Sequence, residues 1–574
     1  MPDSVDLAFV SFARETLDGL LERRPEWATE LGDHRHDGRL TNGTAAYHEE
    51  VARWCGERLA GLRAIDPAGL SAQNRVDAQI LASRLRLILF TATETREHEW
   101  NPMAANPGRA IYLLLARDFA PLAERLRAVA HRLAAVPEAL AAARGTAGSM
   151  PRVHVETALG QFAGTAHLIG TELDRALARA PQAAAEVNAA RPAALTAIED
   201  HRRWLQQRLA DGERDGSFRD PRLGAELFAR KLSLTLDAES DASQIAARAA
   251  ADLERVTDQI AETAARLAGA AGAGAPGTAS GADGLVRHVL DALAADAPDN
   301  TTILDLGRRA FGAQRAFVAE HGIVTTYDDP VEVIEMPEID RGVAVAYCDA
   351  PGPLETAPTP TFVAVSPTPE DWTADRVSSF FREYNRHMVH NLMIHEGMPG
   401  HVVQLQHSRR FTGDTQVRAA LRSGSFVEGW AVYAEQVMAS HGYPGEGDPE
   451  AIRMQQLKMQ LRMIINAILD ARVHCDGMTE SDAMKLMTRR GHQEEGEAAG
   501  KWRRALLTSA QLSTYYVGFT EVSDLVAELR GARPGQPERQ LHDTVLAHGS
   551  PAVRHLRTLL GAESPADGAA EGAP

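Results

Sequence analysis

From Tyr47 to about Ala210 the chain reads as one helical segment after another, and this pattern restricts its fold more than any other feature. Alanine is abundant and β-branched runs are few, which favours helix over strand. The breaks fall at Asn101-Pro102, Asn106-Pro107-Gly108, Gly145 to Pro151 and Ala180-Pro181, where proline or glycine ends helical pairing. Residues 5–25 form a further amphipathic helix, with Leu7, Phe9, Phe12, Leu17, Leu20 and Leu21 near helical spacing. After Gly322 the character changes. Val324–Tyr327, Val331–Ile334, Gly342–Tyr347 and Thr361–Val365 have strand-like content, so a small sheet is expected. The Gly/Ala-rich stretch 268–284 and the tail 561–574 have the composition of flexible segments.

The hydrophobic fraction of 44% is ample for a core, and the net charge of −18 disfavours nucleic acid or an anionic membrane as partner. Cys55, Cys348 and Cys475 form neither a disulfide framework nor a C-x-x-C metal pair. No apolar run approaches the ~20 residues of a membrane span. The first residues lack a basic and apolar leader pattern. These observations lead to the expectation of a soluble cytoplasmic protein.

The chemistry-bearing stretch is His395-Glu396-Gly397-Met398-Pro399-Gly400-His401, followed by Glu428. Two imidazoles and a carboxylate are the ligand types of a catalytic zinc site, and a further carboxylate beside the first His can act as base on water. The familiar spacing is i,i+4, on one helical face. Here the two His are six apart and would diverge on a straight helix. Gly-Met-Pro-Gly either swings His401 back beside His395 through a broken turn or simply ends a helix bearing ordinary histidines. Spacing alone leaves the two readings level. A helix starting at Thr373, with a buried stripe of Val377, Phe380, Phe381, Tyr384, Met388 and Leu392, is expected to carry His395. His387, His390 and His407 read as packing or surface residues.

His395 to Gln404 also resembles the His-Glu-x-x-Pro-Gly-His-x-x-Gln signature of the bacterial family called domain of unknown function 885. Phe426–Glu435 resembles its Glu-Gly-Trp-Ala-x-Tyr-x-Glu segment, and Ala28–Arg35 with Asp37 and Arg39-Leu40 resembles an N-terminal element. That family is grouped with the gluzincin metallopeptidases, beside carboxypeptidase Taq, thimet oligopeptidase and angiotensin-converting enzyme. The resemblance implies a two-lobed, mainly helical fold with a small β-sheet beside the zinc-binding helix. It implies His395, His401 and Glu428 as ligands of Zn2+ and Glu396 as base, and Glu435 is placed to hold a ligand His.

Gln511–Gly518 with Arg504 is similar to the family's Arg-Tyr-x-x-x-Pro-Gly-Gln-x-x-x-Tyr-x-x-Gly pattern, departing from it at Ala505, Ser509 and Ala510. On that match Tyr515 is the oxyanion donor, with Tyr516 as the other choice, and Arg504 and Gln511 bind substrate. Asp470–His474 is similar to an Asp-x-x-Leu-His region, so His474 either lines the cleft or is a satisfied buried histidine. By the resemblance Phe362–Val365 is the candidate edge strand along which extended substrate would pair, with a plain covered strand as the other reading. Asp33 and His34 either reach the cleft or tie down their loop.

The resulting expectation is a helical lobe over 1–267, a loop over 268–284, a catalytic lobe over 285–560 and a disordered tail over 561–574, the lobes integrated around a cleft. Its function is zinc-dependent hydrolysis of short peptides by metal-activated water. A zinc hydrolase acting on a non-peptide amide is the first alternative. A non-catalytic helical scaffold is the second, and the retention of Glu396 argues against it. Oligomeric state is not legible in the sequence.

Overall fold

The computed structural model describes residues 4–270, 281–337, 341 and 345–562. Contacts divide the chain into two units. The first comprises residues 1–223, 351–359 and 413–421, and the second 224–350, 360–412 and 422–574. The Gly/Ala-rich stretch therefore lies within the second unit. Its residues 268–270 close the helix Ala242–Ala270 and 281–284 open Gly281–Ala294. The rest of that stretch, and the tail from residue 563, lie outside the described residues.

Among its described residues the first unit has helices and connecting loops but no strand, and its long helices include Ser4–Arg23, Ala45–Arg63, Ala72–Phe90, Leu122–Thr146, Arg152–His167 and Ala184–Asp215. The ends agree with local chemistry. Thr44 and Ser71 cap the amides of Tyr47 and Asn74, and Pro25 opens the short helix Pro25–Leu31. Gly32 ends that helix at φ 87°, where a side chain would also strike the backbone of Glu355. Inside the unit Asp77 and Arg418 form an almost fully buried pair at 2.7 Å, which pins the 413–421 segment.

The second unit combines helices with a three-stranded sheet, β1 (Val331–Glu335), β2 (Ala346–Asp349) and β3 (Thr361–Val365), in the order β1-β3-β2. β1 runs parallel and β2 antiparallel to β3. Phe362 pairs with Glu332 on one side and Asp349 on the other, so Phe362–Val365 is the central strand and cannot be the edge expected from the resemblance. β2 is the strand that contacts the His395 helix. Val324–Tyr327 is not a strand. Both the amide and the hydroxyl of Thr325 donate to Asp543, at 2.9 and 2.6 Å, which occupies the pairing groups locally. Of the expected strand Gly342–Tyr347, residues 342–344 lie outside the described residues.

The helix expected from Thr373 onward is two helices, Ala374–Glu383 and Arg386–Glu396. Asn385 sits between them in extended geometry and its side chain accepts from the amide of Met388. The restart changes the helical phase, so Val389 and Met393 are buried while Leu392 is only half-buried.

Candidate metal centre

The Gly-Met-Pro-Gly insertion performs the expected turn. The helix stops at Glu396, the amide of Gly397 bonds to Met393 O at 2.9 Å and that of Gly400 to Ile394 O at 3.0 Å, and a new helix starts at His401. A Cβ at Gly400 would lie 2.0 Å from His395 O, so only glycine lets the chain double back this tightly. Trp430 Nε1 donates to Pro399 O at 2.9 Å and fixes the turn from the following helix. The imidazoles of His395 and His401 consequently meet edge to face with centroids 4.7 Å apart.

Glu428 arrives on the helix Gly424–Ser440, whose start is capped by Ser423. Its Oε2 lies 3.3 Å from His395 Nε2 and 3.6 Å from His401 Nε2. Tetrahedral arms of about 2.0–2.2 Å give ligand-to-ligand separations of about 3.3–3.6 Å, so these three atoms fit around one divalent cation. His395, Glu396 and His401 also place ligand-type atoms within 4.8 Å of one another. Glu396 is the poorer ligand, because its nearer oxygen is 4.0 Å from His401 Nε2 and the amide of Cys348 on β2 hydrogen-bonds its carboxylate. Glu428 Oε2 is buried and, among the described residues, meets the two imidazole nitrogens but no amide or hydroxyl donor, an environment that would suit an oxygen shared with a cation.

Behind this set, Glu435 is buried. Its Oε1 lies 2.7 Å from His395 Nδ1, and its Oε2 accepts from Asn391 Nδ2 at 2.7 Å. A carboxylate only accepts, so Nδ1 carries the proton; in the neutral ring Nε2 is then the lone-pair nitrogen. Asn391 went unnoticed in the sequence, although it lies one helical turn before His395 and could have been sought there.

Burial opposes charge on His395, but Glu428 and Glu435 outweigh it and raise the imidazole well above its ordinary value. Burial also raises Glu396, against the pull of the two imidazoles. Burial works against ionised Glu428 too, yet the two histidines hold it well below the usual carboxylate range. The same electrostatics that favour positive charge on His395 would favour a cation between the three groups, and its binding would be linked to proton release.

The remaining sequence candidates separate cleanly. Arg504 Nη2 donates to Gln511 Oε1 at 2.8 Å and to Tyr515 OH at 3.2 Å, so these three residues form one group. Tyr516 is buried and gives its hydroxyl to Asp252 at 2.7 Å. His474 is buried against Phe228, and its Nε2 donates to the carbonyls of Ala505 and Thr508, so it holds the turn before Gln511. Asp470 accepts from the amides of Ala510 and Ser513 and anchors the same turn. His390 bonds to Tyr443, His407 to Thr325 O, and His387 lies near Asp296; none of them belongs to the ligand group.

Residues 25–560 match the family described as bacterial protein of unknown function (DUF885). The chain belongs to the DUF885 family. No curated protein matches it. Among solved structures, this DUF885 protein is similar to "a putative lipoprotein of unknown function from Shewanella oneidensis". The two are 29% identical over 96% of this chain and 99% of that one, with a TM-score of 0.81. It also shares the fold of "the putative lipoprotein from Colwellia psychrerythraea", at 16% identity over 98% of this chain and 100% of that one, with a TM-score of 0.75. Lipoproteins are held at a membrane by their lipid, so these neighbours overturn the expectation of a cytoplasmic protein. Among the described residues no helix is long and apolar enough to cross a membrane.

Proposed function

We propose that this DUF885 protein is a zinc-dependent hydrolase of amide bonds in short peptides, built on a gluzincin-like fold. The observation that carries the reading is the convergence of His395, His401 and a buried Glu428 oxygen beside a second, separately held carboxylate, Glu396. His395, His401 and Glu428 would hold the ion, which when bound polarises a carbonyl and makes a water acidic near neutral pH. Glu396 accepts the proton of the attacking water and returns it to the leaving amine, and burial strengthens it as a base. Glu435 and Asn391 keep the His395 ring from rotating. The Tyr515 oxygen accepts from Arg504, which leaves its own O–H free to donate to the developing oxyanion. Tyr516 is the poorer donor because its hydroxyl is committed to Asp252.

The test is a dipeptide and small-amide library assayed with metal content measured in parallel. The wild type is expected to carry about one zinc per chain. Glu396→Gln is expected to keep the metal and lose about 100-fold or more in kcat, the usual worth of a general base. Unchanged turnover in that variant, or a wild type that takes up no zinc, would sink the reading.

A further inference from the structure

A second charged cluster in the same unit is unbalanced. Lys458 Nζ pairs with Glu383 at 2.8 Å. Arg462 pairs with Glu497 and donates to Tyr384 OH at 3.1 Å. Those two cations are matched by two carboxylates. Lys501 and Arg504 follow one helical turn apart on the helix Glu495–Leu507 and have no such match. Among the described residues Arg504 bonds only to neutral Gln511 and Tyr515, through its Nη2. Lys501 is 5% exposed and has no hydrogen-bond or ion-pair partner among the described residues. Burial, with Arg462 and Arg504 adding to it against Glu497, pushes its ammonium down to about 7. A fold does not place an unpaired ammonium beside two guanidiniums for stability, because desolvation and like-charge repulsion both disfavour it.

The cluster is linked to the metal centre through backbone. The helices Gly424–Ser440 and Ser513–Ala532 touch at Gly429 and Gly518, where a Cβ on Gly429 would lie 2.2 Å from Gly518 C. Glu428 is the neighbour of Gly429, and Tyr515 lies three residues, about 4.5 Å of helix rise, before Gly518. Arg504 is bonded to that tyrosine. The unmatched positive charge therefore sits next to the proposed oxyanion donor.

We propose that Lys501 and Arg504 form a carboxylate-binding subsite, so that the substrate is a short peptide or acylated amino acid whose free C-terminal carboxylate lies close to the scissile amide. This rests on the hydrolase reading and narrows it to cleavage near the C-terminus. An incoming carboxylate supplies the missing partner to Lys501 and accepts from the free N–H groups of Arg504.

The experiment compares matched N-acetylated peptides ending in a free carboxylate or a carboxamide, on the wild type, Lys501→Met and Arg504→Gln. A binding arm titrates an uncleavable D-residue peptide with a free carboxylate into the same three proteins. The wild type is expected to prefer the acid over the amide by about 100-fold in kcat/KM, since a buried charged site left unpaired rejects the analogue. Lys501→Met is expected to reduce that preference at least tenfold, mainly through KM, and to weaken the D-peptide by a similar factor. Carboxylate-dependent binding lost in the variants, but with no hydrolysis of any peptide by the metal-loaded wild type, would keep the subsite and remove the hydrolase. Equal handling of acid and amide by the wild type, with no carboxylate-dependent binding, would overturn the subsite whether or not the variants fold.

Discussion

Each unit of this protein holds one histidine between two carboxylates. In the first unit, His34 Nδ1 lies 2.9 Å from Asp37 and Nε2 lies 2.9 Å from Glu355, with the ring stacked on Phe119 at 3.7 Å. In the second, His395 lies 2.7 Å from Glu435 and 3.3 Å from Glu428. The difference is in what the carboxylates have left over. Asp37 also accepts from Thr29 and Glu355 from the amide of Ala357, so the His34 group is closed. Glu428 keeps a buried oxygen that, among the described residues, meets no amide or hydroxyl donor and faces two imidazole nitrogens, 3.3 and 3.6 Å away. A closed arrangement is a tie within the fold, whereas an arrangement with valence to spare calls for a ligand.

Removing the spare valence should have the largest effect. Glu428→Ala is expected to weaken zinc by more than the roughly 100-fold typical of supporting residues, read by chelator competition. Affinity equal to wild type would put Glu428 outside the ligand set. Glu435→Gln, which loosens the ring without removing a ligand, is expected to cost about 10–100-fold in the same assay. An effect as large as that of Glu428→Ala would erase the distinction between holding the metal and holding its ligand.

His34→Ala is expected to leave zinc affinity alone and to cost about 1–3 kcal/mol in denaturant unfolding, the usual penalty for stranding buried polar partners. It also has a pH signature. Burial disfavours charge on His34, but Asp37 and Glu355 prevail and raise it above 6.5. Its contribution is therefore complete below the unfolded value of 6.5 and fades as pH rises through the higher folded value. The stability gap between wild type and variant should narrow as pH rises above about 6.5. A gap that widened over that range would mean that His34 is buried neutral.

The candidate centre was more legible than its surroundings. The residue types of the motif suggested metal chemistry, but spacing alone left them undecided, and it was the resemblance that implied His395, His401 and Glu428 as one set. The helix break at Tyr384-Asn385 was hidden because Asn385 falls within an apparently continuous apolar stripe, and one side-chain cap was enough to restart the helix. The place of β3 was hidden because strand order depends on long-range pairing, and Phe362 looks the same at a centre or an edge. Arg504 was legible only through the resemblance, and Lys501 drew no attention at all, since nothing local in the sequence reveals that its side chain is buried. Ala510 was noted only as a departure from the usual glycine. It adopts φ 63°, where alanine is strained, and its amide bond to Asp470 helps to hold it there.

The contact between Gly429 and Gly518 has one further consequence. With no side chain between them, the two backbones act as a fixed gauge between the helix of Glu428 and the helix of Tyr515. Even a methyl group there would prise the helices apart by an ångström or more, comparable to the tolerance within which a metal and an oxyanion donor can share one carbonyl. Two residues without any functional group would thus calibrate the distances on which the proposed chemistry relies.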